Sequence, residues 1–285
     1  MIKNQVKTVV LLTLLAIVLM FIGRLIGGVN GMFIALIFAI GINFVSYWWS
    51  DKIVLKIYKA KEADKNTYSE LYSMVDEVRH SAKLPMPKVY VIDTPQANAF
   101  ATGRNPTHSA VAVTTGIVDI LSRNELKGVI AHELAHVKNR DILISTVAAT
   151  IAAVISYVAM MARWSAIFGG FGGRDGDNNI LELLVLAIVA PIMALIIQMA
   201  ISRSREFLAD ETGAKLVRDP FSLASALEKI HHNVSRNPFK KMGTTEATAH
   251  MFISNPFRGK SFLNWFSTHP PMEARVKRLR AMKQF

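Results

Sequence analysis

The chain of 285 residues contains no cysteine, which excludes both a disulfide framework and a thiolate metal site. Any metal must then be held by histidine and carboxylate. Charge is also scarce: Asp, Glu, Lys and Arg make up 19% of the residues, against roughly 25% in soluble domains, while hydrophobic residues reach 51%. Acidic residues are the rarer sign, 21 against 33 Lys and Arg, for a net charge of +12. A balance this basic suits nucleic acid or an anionic membrane surface. No nucleic-acid motif accompanies it, and the lysines flank apolar runs, so the membrane is the better partner. The glycine-rich loop from Phe168 to Asp177 matches neither a phosphate-binding loop nor a calcium loop. It is not a strand-to-helix G-x-G-x-x-G, and Ile180 stands where an EF-hand needs Gly. It reads as a flexible linker.

Four uncharged runs are present: Thr8 to Gly23, Leu25 to Ser50, Ile142 to Ala162 and Leu183 to Ser202. Roughly 20 apolar residues cross a bilayer, and the first run is adequate if Arg24 snorkels. That run could instead be a signal peptide with Lys3 and Lys7 as its basic end. It has no A-x-A-like cleavage site and leads into a second apolar segment, so a retained anchor is expected. The second run ends in Tyr47-Trp48-Trp49, an interfacial aromatic cluster. The bases Lys3, Lys7, Lys52, Lys56, Lys59, Lys61, Lys138, Arg140, Arg203 and Arg205 all fall on one side if four spans are drawn. By the positive-inside rule that side is cytoplasmic. The pair of runs between 142 and 202 could also be a core hairpin, with Pro191 kinking its second arm. The expected organisation is an N-terminal transmembrane hairpin (1–50), a first cytoplasmic part (51–141), a second hydrophobic hairpin (142–202) and a second cytoplasmic part (203–285).

The pattern that organises the chain is His132-Glu133-Leu134-Ala135-His136, an H-E-x-x-H motif. Four residues make about one helical turn, so both imidazoles can reach one metal ion, and Glu133 can reach water beside it. Ser122-Arg123-Asn124-Glu125 reads as a capping box that starts the helix, and Leu126, Val129, Ile130, Leu134 and Val137 supply its packing positions. With 8 His in the chain, the motif arises by accident about once per hundred such chains. Histidines set among Ala, Leu, Val and Ile are also a poor match for a solvated face.

A zinc hydrolase needs a third protein ligand. The pattern H-E-x-x-H-x-x-G-x-x-H fails, because Asn139 replaces its Gly and Ile142 its third His. The candidate is Glu206. Alone it would read as a helix carboxylate paired with Arg203 or Arg205. With Asp210 one turn further on, able to hydrogen-bond a ligand histidine, it becomes the best third ligand.

The remainder reads as α+β, mostly helical with a small sheet. A helix is expected from Asn66 to Leu84, stopped by Pro85 and Pro87. Lys88 to Ile92 and Ala110 to Thr114 read as strands. Asn98-Ala99-Phe100-Ala101 is either a plain loop or an edge strand of the kind that receives an extended peptide. Asp219-Pro220 caps a further helix, at whose end His231 and His232 read as helix-end cations or solvated residues rather than ligands. Asn237 to Pro271, His250 included, reads as an irregular cover. His269, on the stiff turn before a helix from Met272 to Met282, is either a plain loop histidine or an oxyanion donor.

His132 to His136, Asn98 to Gly103, Ser202 to Asp210 and Thr268-His269-Pro270 together resemble the HtpX family of membrane-embedded zinc metalloproteases, relatives of the CAAX prenyl-processing endoprotease. The likeness covers nearly the whole chain. It implies a zincin-like protease domain joined to transmembrane helices, one Zn2+ held by His132, His136 and Glu206, and Glu133 as the catalytic base. It also implies polypeptide substrates, mainly membrane proteins, cleaved in stress-related quality control at the cytoplasmic face of the bacterial inner membrane. A non-catalytic metal-binding scaffold or chaperone-like protein would keep both histidines but not need Glu133. A lipid- or nucleic-acid-binding protein would show salt-dependent oligonucleotide binding instead; nucleic acid is not an expected partner.

Overall fold

The computed structural model describes residues 2–147, 203–236, 253 and 270–283. The glycine-rich loop, the run from 148 to 202, His250 and His269 lie outside the described residues. The first element, α1 (Ile2–Ile57), is helical along its length, yet it folds back on itself. Gly28 has a φ of 60°, a conformation costly for residues with a Cβ. Beyond it, Asn43 Nδ2 donates to the carbonyl of Leu12 at 3.1 Å. A straight helix would separate those residues by about 46 Å. The arm Gly28–Ile57 has a mean hydropathy of 2.0 and is long and apolar enough to cross a membrane. Its apolar side chains, among them Phe33, Ile34, Ile37, Phe38 and Ile40, are exposed.

The helix continues beyond Ser50, where the charges Asp51 and Lys52 marked the expected end of the span. It continues because Val54 and Leu55, with Tyr58 just beyond, bury against a sheet. That sheet has four strands, β1 (Lys61–Glu62), β2 (Lys88–Ile92), β3 (Ala99–Asn105) and β4 (His108–Thr114), in the order β1-β2-β4-β3. β2 and β4 are parallel; the two outer pairings are antiparallel. β3 is therefore an edge strand. Strand alternation sends Ile92, Phe100, Ala110 and Ala112 to the face that meets the end of α1. Val89, Val91, Ala99, Ala101, Val111 and Val113 turn to the opposite face. There they meet α2 (Ser69–Ala82) and α4 (Arg123–Lys138), with the short α3 (Thr115–Ile120) between sheet and α4. The sheet thus lies between the end of an apolar helix and the helix that carries the H-E-x-x-H pattern.

Two further helices, α5 (Arg203–Val217) and α6 (Pro220–Arg236), pack on α4, and α7 (Met272–Arg280) closes over both. Contact between α4 and α5 is close because Gly213 has no side chain. A Cβ there would stand 2.8 Å from the backbone nitrogen of His132. Asp219 Oδ1 accepts from the backbone N–H groups of Phe221 and Ser222, so the expected cap with Pro220 behind it forms. His231 and His232 are exposed.

The capping box at Ser122 forms as well, and Glu125 does more than close it. Its carboxylate also accepts from Ser225 Oγ at 2.6 Å and Lys229 Nζ at 2.8 Å, which ties α4 to α6. Burial would raise this carboxyl, but Lys229, Ser225 and Ser122 together bring it down to about 2. A depressed carboxyl stabilises the fold above the unfolded value of roughly 4.3, and that contribution fades as pH falls toward about 2. Glu125→Gln is therefore expected to cost about 1–3 kcal/mol at neutral pH. Urea unfolding in detergent should show the gap between the two proteins narrowing below about pH 4. A gap independent of pH would remove the charge from the explanation.

Candidate metal centre

Between α4 and α5, three donors converge. His132 and His136 lie one turn apart on α4, and Glu206 comes from the first turn of α5. Their ligand atoms all lie within 4.8 Å of one another. His136 Nε2 is 3.2 Å from His132 Nε2, Glu206 Oε1 is 3.6 Å from His136 Nε2, and Glu206 Oε2 is 3.7 Å from His132 Nε2. Donors at about 2.0–2.1 Å from a tetrahedral zinc are separated by roughly 3.3–3.4 Å, so the triangle fits such an ion with small adjustments.

The other side of each ring is held by a carboxylate. His132 Nδ1 lies 2.9 Å from Asp210 Oδ1, and His136 Nδ1 lies 3.1 Å from Asp141 Oδ2. A proton on each Nδ1 satisfies those carboxylates and leaves both Nε2 lone pairs facing the cluster, the tautomer that a metal requires. Asp210 was legible in the sequence by its one-turn spacing from Glu206. Asp141 was not. It reaches His136 because α4 ends at Asn139 and Arg140 adopts a left-handed φ of 58°, which turns the chain back.

Arg275, on α7, was also missed. Its side chain has no solvent exposure. Its Nε and Nη2 donate to the two oxygens of Asp210 at 2.8 and 2.7 Å, and its Nη1 donates to the carbonyl of Ile253 at 2.9 Å. Nη1 also lies 3.7 Å from Glu206 Oε2, and Nη2 3.4 Å from His132 Nε2. This two-pronged grip fixes the plane of Asp210 and hence the His132 ring. Arg205, one of the bases assigned to the cytoplasmic side, is half-buried, and its guanidinium interacts with Asp141 and Glu206.

The electrostatics of the pocket favour a cation. Burial would raise Asp210, but Arg275 and His132 outweigh it and hold the carboxyl at about 2. Burial disfavours charge on His136, yet Asp141, Glu206 and Glu133 overcome it and raise the ring to about 10. His132 moves the other way, lowered by burial despite Asp210. The carboxyl groups of Glu133, Glu206, Asp210 and Asp141 gather around the guanidinium groups of Arg275 and Arg205, and the raised His136 and Glu133 hold protons that a divalent cation bound there would displace.

Glu133 sits beside the donor triangle without belonging to it. Its Oε2 accepts from the backbone N–H of Ala101 at 2.8 Å, so the edge strand β3 positions this carboxylate. Burial lifts its carboxyl to about 8, a rise that Glu206 reinforces and that His136 and the Ala101 N–H oppose. Ala99, Phe100 and Ala101 lie on β3, with Asn98 just before it. The Asn98 side-chain oxygen accepts from the N–H groups of Ala99 and Ile253 at 3.0 and 3.1 Å. Ala101 and Gly103 turn their N–H groups away from β4, toward Glu133 and Thr146.

Residues 65–283 match the family model described as Peptidase family M48. The chain is 55% identical over 278 residues to the protease HtpX homologue of Desulfatibacillum aliphaticivorans, covering 97% of this chain and 89% of that one. It is 52% identical over 280 residues to the HtpX homologue of Syntrophotalea carbinolica, covering 98% and 99%. Among solved structures, Ste24p of S. mikatae superposes with a TM-score of 0.52 at 17% identity, covering 98% of this chain and 67% of that one, a likeness of fold.

Proposed function

Because the chain belongs to peptidase family M48 and is a membrane metalloprotease of the HtpX kind, we propose that it hydrolyses peptide bonds with one zinc ion held by His132, His136 and Glu206. The observation that carries this reading is the convergence of the three donors, both histidines having their far nitrogens engaged by carboxylates. A zinc ion bound there would supply Lewis acidity, polarising the scissile carbonyl and making water nucleophilic at neutral pH. Glu133 takes the proton from the attacking water and passes it to the leaving amine, so its carboxylate is regenerated at each turnover. Asp210 and Asp141 orient the ligand rings, and Arg275 holds Asp210 in place. The outward edge of β3, from Asn98 to Ala101, runs beside Glu133 and offers main-chain groups to an extended substrate. His269 remains a candidate oxyanion donor. A non-catalytic scaffold is disfavoured by the placement of Glu133, which such a protein would not need.

Removal of metal with a chelator is expected to abolish cleavage of an unfolded polypeptide such as casein, and stoichiometric zinc to restore it. Full activity after the metal content has fallen below a tenth of an equivalent would overturn the proposal.

We also propose that α1 crosses the bilayer twice, with the metal centre on the cytoplasmic side and membrane proteins in quality control as substrates. The exposed apolar arm and the basic residues at its far end support this orientation. The chain contains no cysteine, so single thiols report cleanly. Asn30→Cys should react with an impermeant thiol reagent in intact cells, and Lys83→Cys only after lysis. Protection of both positions until lysis would mean that the hairpin does not span.

A further inference from the structure

Where α1 leaves its apolar stretch, a cavity of about 470 Å³ opens that the metal centre does not use. It is lined by Phe44, Trp48, Trp49, Lys52, Asp51, Arg104 and His108. The first five of these belong to α1. Arg104 and His108 flank the tight turn between β3 and β4. Phe44 and Trp49 meet edge to face at 5.7 Å, and the Arg104 guanidinium lies 4.5 Å from the centre of the Trp48 ring. The cavity thus combines aromatic rings with two cations, one of them resting on the Trp48 ring, and one carboxylate.

Its depth follows from the helix. From the turn at Gly28 to Trp48 is twenty residues, about 30 Å at 1.5 Å each, the thickness of a bilayer's hydrocarbon core. With Gly28 at one interface, Trp48 and Trp49 lie at the other, and Lys52 and Arg104 lie at the level of lipid phosphates. Phe44 and the exposed Ile37 and Ile40 continue from the cavity into the acyl region. Two cations and one carboxylate leave the polar end positive, and Lys56, Lys59 and Lys61 follow close by in the chain.

We propose that this cavity is a binding site for one anionic phospholipid. Lys52 and Arg104 hold the phosphodiester, Asp51 accepts from hydroxyls of a glycerol headgroup, and an acyl chain lies along Phe44 and Trp49. A zwitterionic choline lipid fits less well, because the face of Trp48 that could receive its cation is already covered by Arg104. The proposal rests on the placement of α1 in the bilayer. It adds that the β3–β4 turn touches a lipid, on the same strand whose Ala101 N–H holds Glu133.

The test uses the full chain in nanodiscs of phosphatidylcholine doped with lipid brominated on its acyl chains, which quenches nearby tryptophan. Brominated phosphatidylglycerol is expected to reach half-maximal quenching at about a thirtyfold lower mole fraction than brominated phosphatidylcholine, given about 1 kcal/mol for each of the two basic side chains at the surface. In Lys52→Gln/Arg104→Gln the preference should fall to within about twofold, and Lys52→Arg/Arg104→Lys should restore it. Equal quenching by the two lipids in the wild type, or a preference that survives the neutral double variant, would overturn the site. Loss of the preference in millimolar inorganic phosphate would identify an ion site and overturn the lipid assignment. Failure of the wild type to enter nanodiscs would overturn the membrane placement as well; entry without lipid preference overturns the lipid site alone.

Discussion

Glu133→Gln is expected to lower peptide hydrolysis by about 10³-fold while leaving the metal content of the purified protein unchanged. The amide keeps the size of the side chain and can still accept from the Ala101 N–H, so the fold and the ligand triangle should persist. What it cannot do is take a proton from water and return it to the leaving amine. The two readouts separate the reading from its rivals. A structural role for Glu133 would move metal content or melting temperature along with rate, and a scaffold without chemistry would show no rate to lose. Turnover within a few-fold of wild type would sink the assignment of Glu133 as the proton carrier.

The second large effect is expected at Glu206. Glu206→Ala removes one of three donors and leaves the two rings to hold the ion alone, so zinc affinity should fall by more than the roughly 10–100-fold typical of losing a ligand-orienting partner. Asp210→Asn should fall within that smaller range, because the amide can still meet His132 Nδ1 but no longer matches the two-pronged grip of Arg275. The control is Glu211→Ala, one residue before Thr212 on the same helix. Its carboxylate lies at the surface against Lys215 and Arg278, and its loss should leave zinc binding alone. Competition titration with a chromophoric chelator measures all three. Equal zinc affinity in wild type and Glu206→Ala would move the third ligand elsewhere.

Much of this centre could be read from the chain because helices repeat. The capping box at Ser122, the one-turn spacing of His132 and His136, and that of Glu206 and Asp210 are local facts, and the structure keeps each of them. The edge strand was half legible. Alternation in Ala110 to Thr114 announced β4, but which loop paired with it depended on the turn at 106–107. The missed residues depend on distance or on an unusual backbone. Arg275 lies in a helix with four basic residues, where a cation reads as solvated; it is buried only because Asp210, 65 residues earlier, faces it. Asp141 reaches His136 through a left-handed arginine, a conformation that no sequence pattern marks outside Gly and Asn. Arg205 counted only as one of the bases on the cytoplasmic side, whereas in space it stands between Glu206, its neighbour in sequence, and Asp141, which no spacing connects to it.

Gly213 contributes no chemistry, yet it is the ruler of the metal site. Seven residues separate it from Glu206, about two turns on one face of α5, so it touches the backbone of His132 while Glu206 meets the ring. The distance between a backbone and a missing methyl group therefore sets the distance between a carboxylate and an imidazole. A single added carbon would act as a shim, wedging the two helices apart at one end and opening the donor triangle at the other. Tolerances of a few tenths of an ångström in metal ligation are in this way handed to the one position on α5 that has no side chain.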